Sequence, residues 1–443
     1  MKREFKKMEI KTLGRSYTLE KNGMMGVGKE YSPSIVSYDN NTGADFICLF
    51  EFTNIDGEEH ERNLNIMKSY IKEAEIPVYV GGYVKRFEDV KKYLYTGAKK
   101  VIFALNEKTK EDAIKEAAER FGKEKLIFYY EPETFQEKDR EIVLSYSSAV
   151  YLKESTLQKI EQTTQLFSLP ILADLDFGDY DFDEGQLEEK KKMAAAILKQ
   201  EQVFAVTGRF LWVLDSSIPK WKLELIEQGL SFDVMKPKFS WKDLKLNSDG
   251  MIPVIVQDYK TNEVLMLAYM NEEAYIETLQ SQQMTYFSRS RNELWKKGKT
   301  SGHYQYLKEL KLDCDKDTIL AKVSQIGSAC HTGNYSCFFE EIAKKEYKKK
   351  DITKVLEDVY QVILDRKENP KEGSYTNYLF TKGIDKILKK VGEEAAEIII
   401  AAKNPEPEEI KYEIADFLYH VMVLMAQKEV SWKDIAEELA NRE

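Results

Sequence analysis

Along the first half of the chain, short apolar runs alternate with longer charged stretches whose apolar residues recur at helical spacing. The runs DFICLFEF, IPVYVGG, KKVIFAL, KLIFYYE, SAVYLKE, LPILADLD and VFAVTGRFLW fall between about Ser32 and Gly229. Strands alternating with helical patterns predict repeated βα units and a parallel sheet. Seven runs over roughly two hundred residues fit a (β/α) barrel better than a small open sheet, although its first strand is not evident. From about Ser231 to Ile342 the pattern turns β-rich, with MIPVIVQD, EVLMLAYM, TYFSRS, LKELKLDCD and TILAKVSQI separated by turn residues. EEIAKKEYKKKD then reads as a solvated connector. The rest is helical: GIDKILKKVGEEAAEIIIAAK and PEEIKYEIADFLYHVMVLMAQ both carry apolar residues about one helical turn apart, and NPEPEE is the loop that starts the second. The pattern thus predicts a multidomain chain. It has an N-terminal (β/α)-barrel-like α/β domain over residues 1–230, a central β-rich α+β domain over 231–342 and a C-terminal all-α domain over 352–443.

Composition narrows the chemistry. A formal net charge of −10 over 443 residues argues against a nucleic-acid surface, because affinity for phosphodiester backbones rests on clustered Lys and Arg. An anionic ligand must therefore be held by local basic groups or by metal ions. No apolar run approaches the ~20 residues of a membrane span, and the basic start MKREFKKMEIKTLGRS has no apolar stretch behind it. A cytoplasmic location is expected. Of the four cysteines, Cys48 stands alone in FICLF and three fall within residues 312–338. That is the usage of a metal or catalytic site in a reducing compartment and not of a disulfide framework.

The stretch LDCDKDTILAKVSQIGSACHTGNYSCF holds Cys314, Cys330 and Cys337 without paired CxxC spacing. Three thiolates leave one tetrahedral position of a zinc ion open, as catalytic sites require. Zinc lowers the pKa of a bound water from 15.7 to about 7, and His331, next to one thiol, could act as general base. Asp313, Asp315 and Asp317 alternate along an expected strand, so all three would share one face, with Cys314 on the other. Hard oxygen ligands suit Mg2+. Singly, each residue reads more readily as a small buried hydrophobe or a solvated acid. The set, in a chain with only four Cys and four His, reads as a metal site. Nearby, YFSRSRNELWKKGKTSGHYQ carries Arg289, Arg291, Lys296, Lys297 and Lys299 against one Glu. Arg offers bidentate contacts to phosphate, Trp295 could stack on a purine or pack internally, and Ser301, Gly302 and His303 add a polar turn.

VIVQD, EVLMLAYMNEEA, YFSRSRNELWKKGKTSGH, LDCDKDT and ACHTGNYSCF, in that order over residues 245–340, resemble the signatures of phosphoribosyl-AMP cyclohydrolase. The resemblance implies zinc on Cys314, Cys330 and Cys337, with the first supplied across a homodimer interface, and Mg2+ on Asp313, Asp315 and Asp317. It also implies addition of water at C6 of adenine and opening of the bond to N1, chemistry close to that of the zinc-dependent adenine deaminases. Substrate contacts would fall on Arg289, Arg291, Trp295, Lys297, Ser301, Gly302 and His303.

In the helical region GEEAAE places Glu393 and Glu394 three to four residues from Glu397, on one face, and Glu413, Asp416 and His420 share a face of the next helix. An isolated EExxE reads as a solvated helix face. The ExxD among apolar neighbours in KYEIADFLYHVMVL shifts the reading toward converging acids that need cations, with Mg2+ and a pyrophosphate substrate satisfying both. GSYTNYLFTKGIDKILKKVGEEAAEIIIAAKN with EIADFLYHVMVLM resembles phosphoribosyl-ATP pyrophosphohydrolase, an all-α relative of the MazG-type pyrophosphatases. That resemblance implies Mg2+ and catalysis on Glu393, Glu394, Glu397, Glu413 and Asp416. Lys390 reads as a partner of these acids more than as a phosphate ligand. The product, phosphoribosyl-AMP, would be the substrate of the central domain, so the two would perform the second and third steps of histidine biosynthesis. The N-terminal region is similar to the isomerase and synthase barrels of the same pathway. Gly81, Gly82, Glu88 and Asp89 fill a GGxxxxxED motif that holds one substrate phosphate in those families. No first-strand Asp is evident, the sixth strand SAVYLKES lacks the second, and PILADLDFGDYD places acids where a glycine pair would hold the other phosphate. A barrel without isomerase activity, serving scaffolding, dimerisation or regulation, is expected, with a new reaction on Asp174 or Asp176 as the alternative.

Overall fold

The computed structural model describes residues 10–440 apart from 21–23, 26–28, 54–56, 106–108, 110, 176–183, 215–216, 344–354 and 405–406. Asp176 and most of the predicted connector lie outside the described residues. The chain forms two compact units, residues 1–340 and 341–443.

The first unit opens with a parallel barrel. Its strands are β1 (Thr12–Leu19), β4 (Phe46–Glu51), β5 (Val78–Tyr83), β6 (Lys100–Ala104), β7 (Leu126–Tyr130), β8 (Ala149–Leu152), β9 (Ile171–Asp174) and β10 (Val203–Thr207). Two short strands, β2 (Met24–Met25) and β3 (Lys29–Glu30), extend β1 antiparallel. Pairing of Thr12 with Ala205 closes the ring. Helices α1 (Pro33–Asp39), α2 (Glu58–Glu73), α3 (Phe87–Leu94), α4 (Glu111–Phe121), α5 (Arg140–Tyr146), α6 (Leu157–Phe167), α7 (Glu184–Leu198), α8 (Phe210–Leu214) and α9 (Ile218–Glu227) surround it. Strand alternation explains the apolar runs. Phe46, Cys48 and Phe50 of β4 point inward against Ile102, Ile127 and Leu172, whereas Ile47 and Leu49 face the helices, so every position is buried.

The strand that sequence pattern does not reveal is β1, TLGRSYTL. It carries Arg15, which is 1% exposed, pairs with Asp39 at 2.7 Å and stacks 3.8 Å from the Trp212 ring. The Tyr17 and Tyr70 hydroxyls donate to the same Asp39 carboxylate. A charge so enclosed looks exposed in sequence. Gly14 is equally specific, since a Cβ there would sit 2.1 Å from the Phe46 ring.

The chain then forms a four-stranded sheet in the order β12 (Val264–Met270), β11 (Ile252–Asp258), β16 (Ile319–Gln325), β15 (Gln305–Leu312). Helix α10 (Glu272–Ser281) and the hairpin β13 (Thr285–Ser288)–β14 (Glu293–Lys296) pack with it. This domain docks on the barrel through loops that precede barrel strands. Asn41 donates to Ser324 at 3.2 Å, Lys308 donates to the Asn40 carbonyl at 3.2 Å, and Glu75 pairs with Lys308 and Lys260. Asn40 and Asn41 lead into β4 and Glu75 into β5, so the sheet domain holds the N-terminal face of the barrel. The C-terminal mouth, where barrel enzymes carry their chemistry, is the opposite end.

The second unit is all helical: α11 (Val355–Glu368), α12 (Tyr375–Lys382), α13 (Ile384–Ala401), α14 (Pro407–Lys428) and α15 (Trp432–Ala440). Tyr360, Ile363, Leu379, Ile387, Met422 and Val423 form its core. Among the described residues, no helix is long and apolar enough to cross a membrane.

Candidate active sites

Cys330 and Cys337 come together in the loop after β16, anchored where the Cys337 amide bonds to the Leu265 carbonyl at 2.7 Å. Cys330 is 6% exposed, and its sulfur accepts the Thr332 hydroxyl at 3.0 Å. Thr332, through that hydroxyl and its amide, holds the Cys330 thiol below its ordinary pKa, whereas burial and the neighbouring Cys330 push Cys337 up. Lys297 is buried beside them. Its ammonium donates to the Ala329 carbonyl at 2.6 Å, and desolvation lowers its pKa. His331 is exposed next to Cys330.

Cys314 does not join this pair. It lies in the turn between β15 and β16, beyond the Leu312–Ile319 pairing, while Cys337 is tied to β12 at the far edge of the sheet. With strands about 4.8 Å apart and about 3.3 Å per residue along them, the separation is on the order of 15 Å. Among the described residues, no group of three containing these thiols has its ligand atoms within 4.8 Å of one another.

The same turn corrects the strand expected for the aspartates. β15 ends at Leu312, and residues 313–318 reverse direction, with Lys316 at φ 64°. Convergence of Asp313, Asp315 and Asp317 within 4.8 Å therefore comes from chain reversal and not from strand alternation. Desolvation would raise the Asp313 pKa, but N–H donors from Thr318 and Asp317 hold it below its ordinary value. Lys245 reaches Asp315 at 3.3 Å.

In the basic hairpin, Trp295 packs inward, with its ring 5.6 Å from Tyr286. Arg289 lies over Tyr269 at 3.9 Å, and Arg291 pairs with Glu293 at 3.3 Å. Ser301 accepts the His303 amide at 3.3 Å across the turn made by Gly302 at φ 74°. The His303 ring covers Gly327, where a Cβ would meet it at 2.7 Å.

In the helical unit, Glu394 and Glu397 of α13 meet Glu413 of α14 within 4.8 Å. Glu394 is 5% exposed and accepts Lys390 at 3.2 Å. Its hydrogen bond and charge raise the pKa of Glu397. Glu393 stands outside the trio, paired with Lys389 and Lys390 at 3.1 Å. Asp416 is exposed outside it as well, and its carbonyl contacts His420 Nδ1 at 2.9 Å. Sequence reasoning did not single out Tyr375, whose hydroxyl lies 3.1 Å from His420 Nε2. An exposed aromatic on a separate short helix carries no pattern that would mark it.

In the barrel, Gly81, Gly82 and Asp89 of the GGxxxxxED motif serve packing and capping, and Glu88 is exposed. Cβ atoms at Gly81 and Gly82 would fall 2.6 Å from the Ile102 carbonyl and 2.2 Å from the Glu51 carbonyl, and buried Asp89 accepts the Lys85 and Arg86 amides to cap α3. Asp174 ends β9 with its carboxylate accepting the Tyr151 hydroxyl at 2.6 Å. Tyr129 stacks on Tyr151 with ring centroids 5.4 Å apart, so aromatic rings fill the interior near the mouth.

Three family models match this chain: phosphoribosyl-AMP cyclohydrolase over residues 266–339, phosphoribosyl-ATP pyrophosphohydrolase over 356–443 and a histidine biosynthesis protein over 23–130. A histidine biosynthesis bifunctional protein HisIE of Thermoanaerobacter pseudethanolicus is 54% identical over 210 residues, covering 44% of this chain and 97% of that protein. The chain belongs to the HisIE family. The HisIE of Bacillus subtilis is 48% identical over 200 residues, covering 45% of this chain and 95% of its own length. As a HisIE protein it is a bifunctional hydrolase of histidine biosynthesis, with the pyrophosphohydrolase and cyclohydrolase steps joined in one chain. Both belong to metal-dependent hydrolase families. The acidic trios and the thiol pair suit hard and soft cations respectively.

Proposed function

We propose that the helical unit hydrolyses phosphoribosyl-ATP to phosphoribosyl-AMP and pyrophosphate on Mg2+ held by Glu394, Glu397 and Glu413, with Glu393 and Asp416 completing the acidic set. Lys390 steadies Glu394 by direct pairing. Ring opening follows in the central domain. There Cys330 and Cys337 of one copy, with Cys314 of a second, would hold zinc, and Asp313, Asp315 and Asp317 would hold Mg2+. Zinc bound there would supply an acidified water for addition to C6. The N1–C6 bond then breaks and N1 takes a proton, with His331 placed to relay it. Arg289, Arg291, Trp295, Lys297, Ser301, Gly302 and His303 are assigned to substrate positioning. Domain limits at residues 1–230, 231–342 and 352–443 and a cytoplasmic location complete the reading.

The observation that carries the shared site is the distance of Cys314 from the thiol pair within one chain. An apolar patch supports a second copy: Leu267 on edge strand β12 is 48% exposed, and Phe338 beside Cys337 is 64% exposed. Paired edge strands and covered apolar patches are how such surfaces are satisfied.

The barrel is proposed as a non-catalytic scaffold. Its glycine pair is packed against backbone and Phe50, and its mouth carries the aromatic stack around Asp174. The test of the shared site is complementation between Cys314→Ala and Cys330→Ala chains. Each alone loses ring opening. Randomly mixed dimers carry one intact site in half of the molecules, so about a quarter of wild-type activity returns. No recovery on mixing, with both chains folded and exchanging, would contradict it.

A further inference from the structure

A cleft lies where the barrel meets the central sheet, outside every group assigned above except Gly302. Its volume is about 690 Å³, and both domains line it: Ser37 and Tyr38 of α1 face Lys296, Lys299, Tyr304 and Tyr306. That volume sits within the ~300–1,000 Å³ typical of small-molecule sites.

The lining is rich in donors and carries net positive charge. Glu277 shares its one negative charge between Lys220 at 2.7 Å and Lys296 at 3.3 Å. Lys299 has no carboxylate partner among the described residues and is exposed to the cleft. Lys296 and Lys299 against Glu277 leave the lining with one net positive charge, in a chain whose net charge is −10. Serine and tyrosine hydroxyls complete the set of groups that bind phosphate oxygens. Tyr38 and Tyr304 add aromatic surface on opposing domains.

We infer that this cleft binds a nucleoside monophosphate, with the phosphate between Lys296, Lys299 and Ser37 and the base against the tyrosines. The barrel then contributes directly to ligand recognition in the central domain. The hairpin gives the occupant a route to the chemistry. Leu294 and Lys296 of β14 face the cleft, while Trp295 and Lys297 alternate to the opposite side, where Lys297 braces the Ala329 carbonyl next to Cys330. The inference does not depend on which metals the thiols and acids hold.

The experiment is calorimetric titration of the full chain with AMP, for wild type and for Lys299→Ala and Ser37→Asp, both at surface-accessible positions. Wild type shows a binding site for which each substitution weakens AMP by about tenfold or more, the loss expected from removing or opposing one charged hydrogen bond. A wild-type urea transition of the barrel and sheet domain verifies that the variants are folded. The source of the ligand is read from kinetics. A parallel rise in KM for phosphoribosyl-AMP makes the cleft part of the substrate path, and an unchanged KM makes it a separate effector site. AMP affinity and stoichiometry unchanged in both variants would overturn the proposal.

Discussion

Glu75 fastens the barrel to the sheet domain through three side chains, and replacing it with Gln tests whether the barrel acts as a scaffold. Its carboxylate accepts Lys260 at 2.9 Å, Lys308 at 3.1 Å and the Tyr259 hydroxyl. Lys260 is 62% exposed, so its pair contributes only about 0–1 kcal/mol. Lys308 is 25% exposed and Glu75 30%, where a hydrogen bond to a charged group contributes roughly 1.5–3 kcal/mol before solvent screening. Gln keeps an acceptor but removes the charge, so Glu75→Gln weakens docking by about 2 kcal/mol, roughly 30-fold. Burial would raise the Glu75 pKa, but Tyr259, Lys260 and Lys308 together hold it below the ordinary value. Its stabilisation is therefore complete above the unfolded pKa of about 4.3 and is lost as pH falls through the lower folded value. In urea unfolding of the full chain at neutral pH, wild type should lose the barrel and the sheet domain together. Glu75→Gln should separate the two transitions and lower ring opening before pyrophosphate release. A variant that unfolds in one step, within about 0.5 kcal/mol of wild type, would refute the scaffold argument.

The remaining expectations concern selectivity. Glu394→Gln removes the most buried acid of the helical trio, and pyrophosphate release should fall by about 100-fold or more while ring opening of supplied phosphoribosyl-AMP persists. Cys330→Ala should reverse that pattern, losing ring opening with pyrophosphate release retained, and the two rates measured on one preparation check it. Asp174→Asn at the barrel mouth should leave both rates within about twofold, and a larger loss on folded protein would give the barrel a catalytic role.

Much of this molecule is legible in its sequence because each feature has a local cause. Barrel strands buried on both faces read as apolar runs, and the EExxE and ExxD spacings place carboxylates on helix faces whatever surrounds them. What escapes has a tertiary cause. β1 was hidden because Arg15 is neutralised by Asp39, which arrives from a separate helix. The alternation in LDCDKDT has the period of a strand, whereas Lys316 in a left-handed conformation reverses the chain there. The glycines of VGGY matched a phosphate motif, but in this barrel their missing side chains admit the Ile102 and Glu51 carbonyls. The cleft between domains joins residues more than 250 positions apart, such as Ser37 and Lys299, and only the docked fold brings them together.

The most direct test is incubation of the purified chain with phosphoribosyl-ATP, Mg2+ and zinc, following pyrophosphate release and the ultraviolet change of ring opening in the same sample. The account predicts both signals, with pyrophosphate first and ring opening lagging as phosphoribosyl-AMP accumulates. Pyrophosphate without ring opening in the zinc-loaded protein would contradict the thiol site, and absence of both would contradict the assignment of either hydrolysis to these residues.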